Sequence, residues 1–262
     1  MAIIDADQEK KDCRTRSGRF AEHRRRRATP LMVPWRRYLH RHSLLSGATA
    51  LLIGYFVLTA VLVAGGLVIT HPLLHSVGTW DEHVNLWFAR HRDSAANRVS
   101  DDFTFLADTP GIAIVATLAF VVTFLLRRAQ LAMMLVVALL MELTVFLTVN
   151  YTVGRPRPHV THVASTPSTY SFPSGHVAAT LTLYGAIALI VAAMTANPIP
   201  RVAAWLVAVC LVVCVAMSRV YEGEHHPTDA LGGLLLGIGA LWVANRAVRA
   251  HQSAPRPVGR PR

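Results

Sequence analysis

Charge is scarce in this chain: 16% of its 262 residues are Asp, Glu, Lys or Arg, against 53% hydrophobic. That is too little charge to clothe a soluble surface, and it places the chain with membrane proteins. Cysteine is sparse too. Cys13 lies in a basic tail, and Cys210 and Cys214 sit four apart in an apolar run, where thiols are ordinary packing, so no disulfide framework is expected. No internal repeat is visible. A cleavable signal peptide is not expected either, because the first apolar run starts only after about 43 polar and basic residues and should stay as the first span.

What is present is apolar length. Residues 44–70, 131–149, 177–195, 202–217 and 230–248 are apolar over the roughly 17 to 25 residues that a helix needs to cross hydrocarbon. Residues 103–126 supply a sixth span, most apolar from Gly111 onward, with Asp108-Thr109-Pro110-Gly111 as a helix-start signal at its head. The fold class expected is all-α, a polytopic membrane protein with six transmembrane helices. A basic tail at 1–42, read as disordered and cytoplasmic, precedes a membrane domain at 43–249, and a second disordered cytoplasmic tail follows at 250–262.

A net charge of +11 invites a nucleic-acid reading, which the distribution of charge rejects. With both termini inside and six spans, only Arg90, Arg92, Arg98, Arg155, Arg157 and Arg219 of the 26 Lys and Arg residues face outward. This is the positive-inside asymmetry, so the basic tails are topology signals that meet anionic lipid headgroups. The expected partners are membrane lipids and not nucleic acid. Short loops and the lack of an organelle signal point to a bacterial plasma membrane. No residue pattern speaks to the oligomeric state.

Between the first two spans, Trp80, Val84, Trp87 and Phe88 recur at helical spacing, which predicts an interfacial helix along the outer leaflet. Three polar clusters then fall on the same outward side: Arg155-Pro156-Arg157-Pro158, Pro173-Ser174-Gly175-His176, and Ser218-Arg219 with His225 and Asp229. Ionisable residues at a membrane boundary are costly and usually work in a cavity. Arg157 and Arg219 offer charged forks that match phosphate oxygens. Ser174 and Gly175 open a helix, where free N–H groups favour an anion. His225 and Asp229 lie one turn apart, so the carboxylate can orient the imidazole of a nucleophile, while His176 is placed for general acid work. His226, three residues from Asp229, is the local rival. Glu142, inside a span, is a candidate for a substrate path or a structural pair. Gly232, Gly233, Gly237 and Gly239 are expected to allow close helix packing.

Together these residues resemble the type 2 phosphatidic acid phosphatase superfamily, the lipid phosphatases and vanadium haloperoxidases. The family pattern is Lys, six residues, Arg-Pro; then Pro-Ser-Gly-His; then Ser-Arg, five residues, His, three residues, Asp. Residues 173–176 carry the second block intact, and Ser218, Arg219, His225 and Asp229 carry the third at the right spacing. In the first block Arg157-Pro158 matches, but Asn150 stands where the family has lysine. Either Asn150 binds a phosphate oxygen as a neutral donor or another cation, such as Arg155, contributes.

The resemblance covers roughly residues 80 to 245 and implies a helical core like that of the acid phosphatases and vanadium haloperoxidases. It implies no metal and no cofactor, with the arginines supplying electrostatic stabilisation. It also implies two steps: His225 attacks phosphorus while His176 protonates the leaving group, and His176 then activates water. The substrate expected by analogy is a polyprenyl diphosphate such as the undecaprenyl carrier, cleaved at the outer face. Phosphatidate and phosphatidylglycerophosphate need the same chemistry. An anion transporter would want charges at several depths and internal repeats, which are missing; a lipid-binding relative weakened by Asn150 is the other alternative.

Overall fold

A computed structural model of the chain describes residues 32–71, 74–163 and 168–252, and side chains within 46–71, 75–163 and 168–249. Residues 46–252 form one compact unit, which contains the site. Of the other unit, 1–45 with 253–262, only the stretch 32–45 at the head of the first helix is described. The tails drawn at 1–42 and 250–262 therefore fall largely outside the described residues. Within the described residues, α1 (Met32–Thr70) includes residues 32–42 and the last helix reaches Gln252. Pro34 is no obstacle in a first helical turn, where its missing N–H has no partner to lose.

After α1 come a π-helical turn (Leu74–Gly78), α2 (Thr79–Arg90), α3 (Ser94–Ala107), α4 (Thr109–Leu125), α5 (Ala129–Val153), α6 (Gly175–Met194), α7 (Pro198–Tyr221) and α8 (Pro227–Gln252). No strand occurs among the described residues. Five helices are long and apolar enough to span a membrane: 46–70 of α1, then α5, α6, α7 and 227–249 of α8. The sixth span differs from the continuous helix expected at 103–126. It is a pair, α3 and α4, bent by 49° at Asp108. Pro110 at the head of α4 lacks an N–H to continue α3, and a Cβ on Gly111 would stand 2.5 Å from the Phe105 carbonyl oxygen, so the corner is built for glycine.

The interior lies where helices meet, and the outer faces carry the apolar residues. Leu58 and Leu62 of α1, Met141, Val145 and Val149 of α5, and Leu236, Ala240 and Val243 of α8 form one buried cluster that also takes Phe172. Leu206, Val209, Val213 and Met217 of α7 are more than half exposed, the pattern of a lipid-facing surface. The expected glycine packing is found: Gly233 and Gly237 press on Ser174, just ahead of α6, and on Val177, Ala178 and Leu181 of α6, Gly239 on Leu58, and Gly232 on Phe172. α6 is thus held against α5, α7 and α8, and its N-terminus is fixed at the end of the bundle where the polar loops gather.

Candidate active site

Four of the expected residues, Arg157, Gly175, His176 and His225, line one cavity of about 500 Å³. Its deeper walls are apolar, from Ile112, Ala113 and Ala116 of α4 and Leu139, Leu143 and Phe146 of α5. The two histidine rings face each other edge to face, with centroids 6.4 Å apart. His225 comes from the loop after α7 and His176 from the first turn of α6. Gly175 and His176 therefore stand at the helix end whose backbone N–H groups have no intrahelical partner.

His225 is buried, and its Nδ1 lies 2.7 Å from the Ser171 carbonyl oxygen. A carbonyl only accepts, so Nδ1 carries the proton and Nε2 keeps a lone pair. Burial pushes the ring's pKa well below the ordinary histidine value, Asp229 pulls the other way, and Arg157, His176 and Arg219 add to the lowering. A neutral imidazole with a free Nε2 is the form a nucleophile needs.

Asp229 departs from its expected role as the direct partner of His225. Its Oδ2 is 3.9 Å from His225 Nδ1, outside hydrogen-bond range, because that oxygen is filled by the Ser171 hydroxyl, the His226 backbone N–H at 2.8 Å and His226 Nδ1 at 3.1 Å. The local rival thus takes the carboxylate, and Asp229 organises the loop that presents His225. Arg155 does not serve as a spare phosphate cation either. Its guanidinium is buried between Asp229 Oδ1 at 2.5 Å and Asp81 Oδ2 at 2.7 Å, with Thr228 Oγ1 at 2.7 Å.

Asn150 is fully buried and does not line the cavity. Its Nδ2 donates to the carbonyls of Tyr170 at 2.8 Å and Phe172 at 3.1 Å, and its Oδ1 accepts from the Tyr170 N–H at 3.0 Å. In the structure both Asn150 and Arg155, the two alternatives for the lysine position, are engaged with partners inside the protein. Asn150→Lys, which restores the family residue type, is expected to lower kcat/KM. Lysine cannot accept from Tyr170, and a buried unmatched group costs about 1–3 kcal/mol; a thermal melt and a lipid phosphatase assay on this variant check it.

Arg157 is held by Thr169 and by the backbone and carboxylate oxygens of Glu224 at 2.7 and 2.8 Å. Arg219 pairs with Glu222 at 3.0 Å and Thr104 at 3.1 Å, while its buried Nε lacks a partner, as does the buried Ser174 hydroxyl. Neither Arg219 nor Ser174 is among the residues that line the cavity.

Sequence reasoning missed the residues behind this shell. Glu222 and Glu224 sit inside the five-residue gap of the third block, both fully buried. Asp81 and Asn85 occupy the inner face of α2, where Asn85 Nδ2 donates to the His225 carbonyl at 3.0 Å. Their four-residue spacing, opposite Trp80 and Trp87, was the available signal; those two tryptophans are exposed, as an interfacial helix requires. Asp108, expected as a helix cap, makes no capping bond and instead meets His176 Nε2 at 3.0 Å.

Residues 129–253 match the PAP2 superfamily. That match takes in just under half of the chain. An undecaprenyl-diphosphatase of Sulfolobus acidocaldarius is 34% identical over 89 residues, covering 34% of this chain and 37% of that one. A decaprenylphosphoryl-5-phosphoribose phosphatase of Mycobacterium tuberculosis is 37% identical over 94 residues, covering 34% and 46%. The aligned stretch thus spans less than half the length of these two relatives. Among solved structures, the transmembrane PAP2-type phosphatidylglycerolphosphate phosphatase of Bacillus subtilis matches with a TM-score of 0.62 and 22% identity, over 75% of this chain and 93% of that one. At that identity the likeness is one of fold. The fold is a multi-pass helical membrane protein of the PAP2 type.

Proposed function

We propose that this PAP2 protein hydrolyses a lipid-linked phosphate or diphosphate at the outer membrane face, through a phosphohistidine on His225 and without a metal ion. The observation that carries the reading is the pair of histidines across one cavity, with His225 Nδ1 fixed on the Ser171 carbonyl so that Nε2 can attack. In the first step Nε2 bonds to the terminal phosphorus and the bond to the leaving oxygen breaks, that oxygen being the lipid oxygen of a monophosphate or the bridging oxygen of a diphosphate; the electron pair stays on it, and it takes a proton from His176 where the leaving group needs one. In the second, His176 takes a proton from water, water oxygen bonds to phosphorus, and the P–N pair returns to His225. Arg157 and Arg219, with the N-terminus of α6, hold the phosphoryl oxygens. The outward placement rests on the distribution of Lys and Arg, which puts both termini and the basic tails inside.

A polyprenyl diphosphate is the leading substrate, supported by the name of the undecaprenyl-diphosphatase relative and by the apolar depth of the cavity; the name of the second relative supports a polyprenyl carrier only. Phosphate release by detergent-purified protein from farnesyl diphosphate, phosphatidate and phosphatidylglycerophosphate, with and without chelator, tests the reading. Release that needs added metal, or no release from any lipid, sinks it.

One observation favours a glycerophospholipid phosphate instead. Glu142 is 5% exposed, lines the cavity and makes no hydrogen bond or ion pair with any described residue, so the pairing role open to it is not found. It lies one turn, about 6 Å, deeper along α5 than Phe146, which packs beside Gly175. A prenyl chain offers that carboxyl nothing, whereas a glycerol ester oxygen would be a partner. On this second reading Glu142→Leu lowers kcat/KM for phosphatidate about tenfold, the size of one lost hydrogen bond, and leaves farnesyl diphosphate unchanged. An equal effect on both lipids removes the reading.

A further inference from the structure

We infer that Asp108 is the positioning residue for His176, an Asp-His pair that fixes which ring nitrogen exchanges the proton with the leaving oxygen. The inference rests on the hydrolase reading above and extends it to a residue outside all three sequence blocks.

Asp108 sits between α3 and α4, with extended backbone angles of φ −68° and ψ 156°. Aspartate at such a position ordinarily caps the following helix, its side-chain oxygen accepting from the second or third N–H. Asp93, at the head of α3, does that, accepting from Ala95 and Ala96 at 2.8 Å each. Asp108 does not cap. Its Oδ1 is directed to His176 Nε2 at 3.0 Å, and both residues line the cavity. Giving up the capping bond costs stability, so the orientation needs another partner, and the imidazole is the partner present.

The bend gains a purpose on this account. A continuous helix through 108 would have kept its residue on a helix face; the 49° corner at Asp108, with Pro110 and the crowded Gly111 behind it, sets the residue on the cavity wall instead. With Nε2–H donated to Asp108, Nδ1 is the nitrogen left for chemistry. In the first step the Nδ1 proton passes to the lipid oxygen as the P–O bond breaks. His176 is then neutral with Nε2–H still on Asp108, and Nδ1 takes the proton of the attacking water. A neighbouring carboxylate that holds a histidine's tautomer and stabilises its imidazolium is an established arrangement in hydrolases. Here the roles are divided: the nucleophile His225 is oriented by a backbone carbonyl, and the acid His176 by a carboxylate.

The test uses leaving groups. Farnesyl monophosphate expels an alcohol that needs a proton; farnesyl diphosphate and p-nitrophenyl phosphate expel groups stable as anions. For full-length protein in detergent, Asp108→Asn is expected to lower kcat/KM on farnesyl monophosphate about 10- to 100-fold, a share of the 10²–10⁴ a general acid supplies. The other two substrates should change less than about threefold, because they need little proton transfer. Asp108→Glu should restore part of the loss, since it keeps the carboxylate. An equal loss on all three substrates would make Asp108 merely structural, and an unchanged or raised rate on the monophosphate would make the contact a resting latch; either result overturns the inference. If wild-type protein releases phosphate from none of the three, the hydrolase reading itself falls and the pair falls with it.

Discussion

His225→Ala is expected to lower phosphate release at least about 10⁴-fold, the scale seen when a covalent nucleophile is deleted. Phosphate-labelled protein, quenched in base where phosphohistidine survives, should disappear in the same variant. His176→Ala should differ in kind: turnover falls, but a substrate with a good leaving group should still load His225, so label accumulates. A variant lacking His225 that keeps a labelled intermediate would place the nucleophile elsewhere, with His226 the first alternative because it is the histidine bonded to Asp229. The pH dependence follows from burial. Attack needs an unprotonated Nε2, and His225 is held well below the ordinary histidine pKa of 6.5, first by desolvation. Its contribution to the acid limb of kcat/KM should therefore lie below pH 6.5, and the nucleophile should stay competent as pH falls through that value. Loss of activity centred at or above 6.5 and traced to His225 would contradict the buried, carbonyl-held ring.

The parts of this site that the sequence reveals are those whose information is local. Pro173 to His176 form one turn and a helix start, and Ser218, Arg219 and His225 follow one another along the end of α7 and its loop, so fixed spacing carries their arrangement. The spans were legible for the same reason, since hydrophobic length needs no tertiary context. What spacing could not supply was the identity of partners from other elements. Ser171 reaches His225 across 54 residues, Asp108 reaches His176 across 68, and Asp81 reaches Thr228 across 147. Asn150 misled for a related reason. Position in a pattern made phosphate contact one of two alternatives for it, whereas its amide matches the donors and acceptors of the Tyr170 to Phe172 backbone and is engaged there. Asp108 shows the limit of propensity: the residue type fits a cap, but a histidine on another helix outcompetes the local N–H groups.

Arg155 gives the second large effect, and it is one of stability. Arg155→Met should destabilise the fold by about 3–5 kcal/mol, seen as a marked fall in the thermal midpoint, because breaking a buried ion pair strands its partners. Two partners are stranded here: Asp81 and Asp229 are both fully buried and share the one guanidinium. Asp81→Asn in the Arg155→Met background should recover part of the loss, since one of the two uncompensated charges is gone, and the non-additivity of that cycle measures the coupling. Arg157→Met is the contrast. Arg157 lines the cavity, and its buried partner Glu224 keeps a second cation, Arg219 at 3.9 Å, so removal of Arg157 should cost more in kcat/KM than in stability. If Arg155→Met behaved like Arg157→Met, losing activity at an unchanged midpoint, Arg155 would be a phosphate ligand after all and would fill the place of the missing lysine. The buried Asp81-Arg155-Asp229 chain argues the other way. Its charge is consumed in joining α2 to the head of α8, next to the loop that carries His225, and on the proposed reading the phosphoryl group then falls to Arg157, Arg219 and the N-terminus of α6.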